Sequence, residues 1–288
     1  MKKEEINIRD PFVLVHGGSY YLYGTRGPTC WGKADGFDVY RGNDLENWEG
    51  PIEIFHNDGS FWSDQNYWAP ECYFYQGAFY LFASFTAEEK RRGTQILRAD
   101  RPEGPFRPHS DGPVTPRDWE CLDGTFYHSP SGQPWMVFCH EWLQANNGEI
   151  CAVPLTPDLK APAGPVRVLF RAGDAPQIVP IKHRRGKPCF VTDGPFLHRM
   201  ADGTLLMIWS SFCTGGYCVA VARSDNGDVT GNWKLENDLL FERDGGHGMI
   251  FRTLEGKLML ALHSPNETLR ERPRFYPLEE RGGRLFRI

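Results

Sequence analysis

The stretch from Thr192 to Phe212, TDGPFLHRMADGTLLMIWSSF, reads as one β-hairpin. An acidic residue opens it, a short apolar strand follows, Ala201-Asp202-Gly203 supplies a turn, and an aromatic-rich strand closes it. A Gly in such a turn provides the positive φ that tight hairpins demand. The same unit occurs four more times. RDPFVLVHGGSYYLYGT begins at Arg9, APECYFYQGAFYLFASF at Ala69, LDGTFYHSPSGQPWMVFCHEW at Leu122 and GGHGMIFRTLEGKLMLALHS at Gly245. Each copy is followed by material for two further strands, such as VYRGNDLENWEGPIEIF after the first and RPRFYPLEERGGRLFRI after the fifth. Five copies of a four-stranded unit predict an all-β, five-bladed β-propeller. A β-sandwich would not account for five similar openings. No linker or low-complexity segment divides the chain, so residues 1–288 read as a single domain. The less regular stretches 55–67, 85–94, 142–148 and 171–190 are expected at the rim.

Composition agrees with short strands. Aromatic residues make up 14% of the chain, and its 31 Gly and 22 Pro supply many turns. The net charge of -5 and the lack of a basic stripe argue against a nucleic-acid partner. The run Lys90-Arg91-Arg92 is short and reads as a solvated loop. No apolar run approaches the ~20 residues of a membrane helix. The opening MKKEEINIRDP has no apolar segment of the signal-peptide type. The 8 Cys contain no CxxC pair, so buried free thiols are expected rather than a zinc site.

In a propeller the first strand of each blade lines the central channel, and the starts of these strands cluster at one mouth. Asp10, Asp123 and Asp193 lie at three of the starts, at what reads as an equivalent place. His247 lies at the fifth, and Trp68-Ala69-Pro70-Glu71 at the second. Three carboxylates, distant in sequence, should therefore meet around one funnel with an aromatic wall. That constellation suits general acid–base chemistry. Taken singly, Asp-Pro and Asp-Gly are ordinary turn dipeptides. Their recurrence at blade starts is what favours a site. Phe12 and Phe126 fit either the core or the wall.

These motifs, in this order, resemble glycoside hydrolase family 43. RDP with YYLYGT, WAPE with YQGAFYLF, LDG, TDGPFLHR with DGTLLMIWSS, and GGHG carry the resemblance across essentially the whole chain. It implies a five-bladed propeller that hydrolyses glycosidic bonds with inversion, on α-L-arabinofuranosyl or β-D-xylosyl linkages of oligosaccharides or polysaccharides. It further implies Asp10 as the base that activates water and Asp123 as the residue that tunes the acid. The family's acid is a Glu opening the fourth blade within EGP, where this chain has Asp193 in DGP. An Asp is one methylene shorter, so the acid is either Asp193 or another carboxyl, with Glu141 in CHEW and Glu71 in WAPE in reserve. The resemblance also implies Trp68 as a sugar-subsite wall and a channel cation such as Ca²⁺ near His247, with no cofactor needed for the chemistry. Arg270, Arg272 and Arg274 read more simply as strand-edge residues. A fructan hydrolase would show NDPN where RDPF stands, and a phosphorylase or anhydrogalactosidase reading has no motif of its own here. A propeller that binds sugar without cleaving it is the reading from another class, and the Asp193 departure is its support.

Overall fold

Alternating runs rich in Tyr, Phe, Val and Ile favour short strands, and Gly, Pro, Asn and Asp interrupt them. The computed structural model describes residues 1–182 and 186–288. Its strands form five four-stranded sheets, each an antiparallel meander in chain order. Blade 1 comprises Ile8–His16, Ser19–Arg26, Gly36–Gly42 and Glu49–His56. Blade 2 comprises Gln65–Tyr75, Ala78–Ala87, Lys90–Ala99 and Arg107–Pro108. Blade 3 comprises Cys121–His128, Pro134–His140, Glu149–Pro154 and Arg167–Arg171. Blade 4 comprises Asp193–Arg199, Leu205–Cys213, Gly216–Ser224 and Trp233–Leu235. Blade 5 comprises Gly246–Arg252, Leu258–Ser264, Arg272–Arg281 and Arg284–Arg287. The expected five-bladed propeller is the observed fold. In blade 1 the pairing of His16 with Ser19 leaves Gly17 and Gly18 as a two-residue turn, with φ of 57° and 75°. Only Gly adopts such a pair of values without strain.

The apolar core is a ring of clusters at the blade interfaces. Tyr23, Phe37 and Phe85 fill the space between blades 1 and 2. Phe82, Met136 and Phe138 fill that between blades 2 and 3. Trp209, fully buried and 5.4 Å from Phe170, joins blades 3 and 4. Ile208, Val219 and Leu260 join blades 4 and 5.

Blade 5 is built entirely from its own strands, so the ring closes through side chains. Asn7 Nδ2 donates to the Glu271 carbonyl at 2.9 Å, and Arg272 Nε donates to the Glu4 carbonyl at 2.7 Å. Arg9 forms an ion pair of 2.8 Å with Glu271, which is only 1% exposed.

Two expected rim features are strands or buried instead. Residues 85–94 belong largely to the Ala78–Ala87 and Lys90–Ala99 hairpin. Within the Lys90-Arg91-Arg92 run, Arg92 is buried, because its guanidinium pairs with the Glu141 carboxylate and its charge is met inside the protein. The stretch 142–148 holds one short helix, Trp142–Ala145. The stretch 171–190 carries a small hairpin of Ile181–Lys182 and Pro188–Cys189, and its residues 183–185 lie outside the described residues.

Breaking one side of a buried ion pair costs about 3–5 kcal/mol, because the other charge stays buried. Glu271→Ala is therefore expected to lower the urea unfolding midpoint clearly. An unchanged midpoint would show that the ring closes without this pair.

Candidate active site

Every inner strand breaks register with its neighbour at an equivalent place, and the blade 2 strand breaks a second time at Asn66-Tyr67. At the equivalent place two residues oppose one: Asp10-Pro11, Ala69-Pro70, Asp123-Gly124, Gly194-Pro195 and His247-Gly248. The first residue of each pair has positive φ: 54° at Asp10, 49° at Ala69, 56° at Asp123, 47° at Gly194 and 50° at His247. A bulge of this kind bends the strand and re-aims a side chain. Non-Gly residues held in this region are strained, and such strain gathers at functional sites.

The five bulges are tied into a belt. Each bulge frees a backbone N–H from its own sheet, and a side chain of the preceding blade accepts it, from that blade's second strand in four cases and from its first strand in blade 4. Ala69 N donates to Thr25 Oγ1 at 2.8 Å, Asp123 N to Ser84 Oγ at 2.8 Å, and His247 N to Ser210 Oγ at 2.7 Å. Asp10 N donates to His263 Nδ1 at 3.1 Å, across the closure of the ring. In blade 4, Gly194 N donates to the Asp123 carboxylate at 3.0 Å. A Cβ at Gly194 would stand 2.7 Å from the His247 ring, so the position excludes a side chain.

Asp10, Asp123 and His247 meet inside this belt. His247 Nδ1 lies 3.1 Å from Asp10 Oδ1 and 3.8 Å from Asp123 Oδ2. Thr25 Oγ1 donates to Asp10 Oδ2 at 2.6 Å. Asp193 does not share the place of Asp10 and Asp123. It precedes the bulge residue by one, because Pro195 takes the position of Pro11 and Pro70 and leaves the positive φ to Gly194. Its register equivalents are Arg9 and Trp68. The offset gives Asp193 a backbone setting different from that of Asp10 and Asp123, yet its charge still acts on Asp123, and that of Asp10 acts on it. Asp193 is only half-buried, whereas Asp10, Asp123 and Glu141 are buried. Tyr217 Oη donates to its Oδ2 at 3.0 Å.

The electrostatics separate the carboxyls. Burial opposes the ionisation of Asp10, but His247, Arg9, His263 and the Thr25 hydroxyl outweigh it and hold its pKa below the usual value. Burial and the charges of Asp193 and Asp10 push Asp123 well up, against the Gly194 hydrogen bond. Burial pushes Asp193 up to about 6, with Asp10 and Glu141 adding to the rise and His247 and Tyr217 opposing it. A carboxylate kept ionised near a carboxyl that keeps its proton is the combination that acid–base chemistry requires.

The other sequence candidates are placed as follows. Trp68 is half-buried, donates from Nε1 to the Cys30 carbonyl at 2.6 Å and carries the Arg92 guanidinium 3.9 Å over its ring. Glu141 lies just past the strand Pro134–His140, as the N-cap of the short helix, and takes Arg92 Nη1 on both oxygens at 3.1 and 2.9 Å. Burial raises its pKa, with Arg92 opposing. Glu71 lies two residues past its bulge, accepts from the Tyr73 hydroxyl, and is pushed by burial up to about 8. Phe12 is 4% exposed and packs edge-on against Tyr73 and Phe196. Phe126 packs against Tyr73 and Tyr75. Arg270 pairs with Glu267, and Arg272 and Arg274 face Glu4, all away from the carboxyl cluster.

Among the described residues, His247 Nε2 is buried without a hydrogen-bond partner. Hard cations take oxygen ligands, and among the described residues no group of three or more His, Cys, Asp and Glu side chains is placed to hold a metal ion. The side chains described around His247 do not by themselves make a Ca²⁺ cage.

Residues missed in sequence include Arg92, Tyr217 and Trp31. Trp31 is 58% exposed, stands edge-on to Trp68 at 5.2 Å, and donates from Nε1 to Thr268 Oγ1 at 3.2 Å. The belt acceptors did leave a trace, since Thr25, Ser84, Ser210 and His263 are polar residues inside apolar second strands.

The family profile described as Glycosyl hydrolases family 43 matches residues 5–281. The chain belongs to glycoside hydrolase family 43. It is thus a glycoside hydrolase, with an oligosaccharide or polysaccharide as substrate. It is 26% identical to the extracellular exo-α-(1→5)-L-arabinofuranosidase ArbA of Cellvibrio japonicus, over 91% of this chain and 80% of that protein. A solved endo-arabinase from Bacteroides thetaiotaomicron is 40% identical, with a TM-score of 0.92 and 98% of each chain covered. An endo-1,4-β-xylanase from the same organism shares the fold, at 23% identity, a TM-score of 0.80 and coverage of 100% of this chain and 96% of that one.

Proposed function

We propose that this family 43 hydrolase acts with inversion on α-L-arabinofuranosyl linkages, with Asp10 as base, Asp193 as acid and Asp123 between them. The single observation that carries the assignment is the one-residue offset of Asp193. It leaves one carboxyl incompletely buried, with a pKa that burial shifts up to about 6, beside a buried carboxylate that His247 helps keep ionised. Arabinofuranosyl linkages are preferred over xylosyl ones because the 40%-identical structure is of an endo-arabinase, whereas the xylanase likeness speaks for the fold alone.

In this reading a water lies between Asp10 and the anomeric carbon. Asp10 takes a proton from the water as the water oxygen bonds to that carbon. The bond to the leaving oxygen breaks on the opposite face, and Asp193 supplies the proton that oxygen needs. Asp10 ends protonated and Asp193 ionised, and solvent exchange restores both. Inversion calls for carboxyls about 6.5–9.5 Å apart, to leave room for the water. Trp31 offers its exposed indole face to the apolar face of a sugar.

A second reading gives the proton to Glu141. It is buried, its pKa is also raised, and its charge acts on Asp193. Against it, Arg92 occupies both of its oxygens and stabilises the charged form.

Asp10→Asn should lower kcat/KM on an arabino-oligosaccharide by about 10²–10⁴-fold, and proton NMR of the wild-type reaction should show the β-anomer of arabinose appearing first. The wild-type rate should fall as pH rises through about 6, where Asp193 loses its proton, and persist on the acid side of that, because Asp10 is held below the usual carboxylate range and stays ionised. An active Asp10→Asn, retained configuration, or a rate that rises through pH 6 would defeat the assignment. Separately, Trp31→Ala should raise KM several-fold with kcat nearly unchanged, and an unchanged KM would remove Trp31 from the sugar site.

A further inference from the structure

The hydrogen-bond belt has one irregular link. In register with Arg9, Trp68, Asp193 and Gly246, the residues on the second strands are Thr25, Ser84, Ser210 and His263. Each of these accepts the bulge N–H of the following blade. In blade 3 the corresponding residue, opposite Leu122, is Cys139. It is fully buried, and burial with the charges of Asp123 and Asp193 pushes its thiol well up, so it stays a neutral thiol. Sulfur is a weak acceptor, and the N–H that Cys139 would be due, that of Gly194, goes to Asp123 Oδ2 at 3.0 Å. The irregular link and the backbone hold on a site carboxyl are therefore the same feature.

We infer that Cys139 is a positioning residue: by declining the Gly194 amide, it leaves that amide to fix the Asp123 carboxyl within the site. The inference rests on the reading that Asp123 serves the reaction. A hydroxyl at position 139 would complete the belt as Ser84 and Ser210 do. It would accept from Gly194 N, and its proton has a taker in Thr192 Oγ1, which among the described residues is buried with no geometrically formed hydrogen bond and is close enough to the Cys139 thiol to interact with it. Asp123 would then lose its backbone donor and keep only looser neighbours: His247 at 3.8 Å, and the like charges of Asp10, Asp193 and Glu71.

Serine and alanine at this position separate the positioning role from a packing role. Cys139→Ser adds a hydrogen bond and is expected to be at least as heat-stable as wild type, yet slower, with kcat down about 10-fold or more, as for other small misplacements of reacting groups, and KM little changed. Cys139→Ala offers no acceptor, leaves the Gly194–Asp123 bond intact, and is expected to melt earlier while keeping kcat within about 3-fold of wild type. Activity and stability thus move in opposite directions, which a purely structural thiol would not produce. Equal kcat in Cys139→Ser and wild type, or activity that simply follows stability across both variants, would overturn the inference. Asp123→Asn run alongside separates the two levels. If it is inactive while Cys139→Ser is fully active, only the role of Cys139 is wrong. If Asp123→Asn is itself fully active, the underlying reading of Asp123 fails, and the Cys139 inference falls with it.

Discussion

A backbone N–H released from its own sheet by a bulge must find an acceptor elsewhere, since leaving it buried and unpaired costs about 1–3 kcal/mol. In this propeller that acceptor comes from the preceding blade at every bulge, from its second strand at four of the five and from Asp123 on its first strand at the other. The requirement links blade to blade at the level where the carboxyls sit. It fixes the backbone of Asp10, Asp123 and His247 at strained positive φ, and a bond from the neighbouring blade holds each in place. Apolar clusters between blades supply the bulk of the burial, but the belt sets where the clustered carboxyls stand.

Such a frame matters because the site gathers charges that repel. Asp10, Asp123 and Asp193 come from three blades, with Glu71 and Glu141 near enough to act on them. Like charges in a buried site cannot all ionise. Relief is uneven: Asp10 receives His247 and Thr25, Asp193 receives a tyrosine hydroxyl, and Asp123 receives a backbone amide. Unequal support pushes the proton affinities apart, which gives one carboxyl the character of a base and leaves a proton on another. The Arg9–Glu271 and Arg92–Glu141 pairs flank the group and carry Trp31 and Trp68 on their guanidinium faces.

Much of this was legible in sequence because the repeat is coarse and periodic. Five hairpins with Gly turns predict five blades, and the blade starts identify Asp10, Asp123 and His247 as neighbours. The one-residue offset of Asp193 was also written there. Aligning Pro195 with Pro11 and Pro70, rather than Asp with Asp, places Gly194 at the bulge. Arg92 was hidden for a physical reason. Its surroundings in the chain, Lys90-Arg91-Arg92, look like a solvated run, and only the Glu141 carboxylate, from another blade, makes its burial tolerable. Trp31 gave no periodic signal, since its exposure depends on how the segment between two strands of blade 1 meets Thr268 of blade 5.

The central claim is that Asp193, not Glu141, gives its proton to the leaving oxygen. The most direct measurement compares Asp193→Asn and Glu141→Gln on two arabinofuranosides, one with a good aryl leaving group such as 4-nitrophenolate and one with a sugar alcohol leaving group. A good leaving group needs little protonation, so removing the acid should spare it. The account predicts that Asp193→Asn loses far more kcat/KM on the sugar leaving group than on the aryl one, while Glu141→Gln affects both alike. The selective loss appearing in Glu141→Gln, with Asp193→Asn showing none, would contradict it.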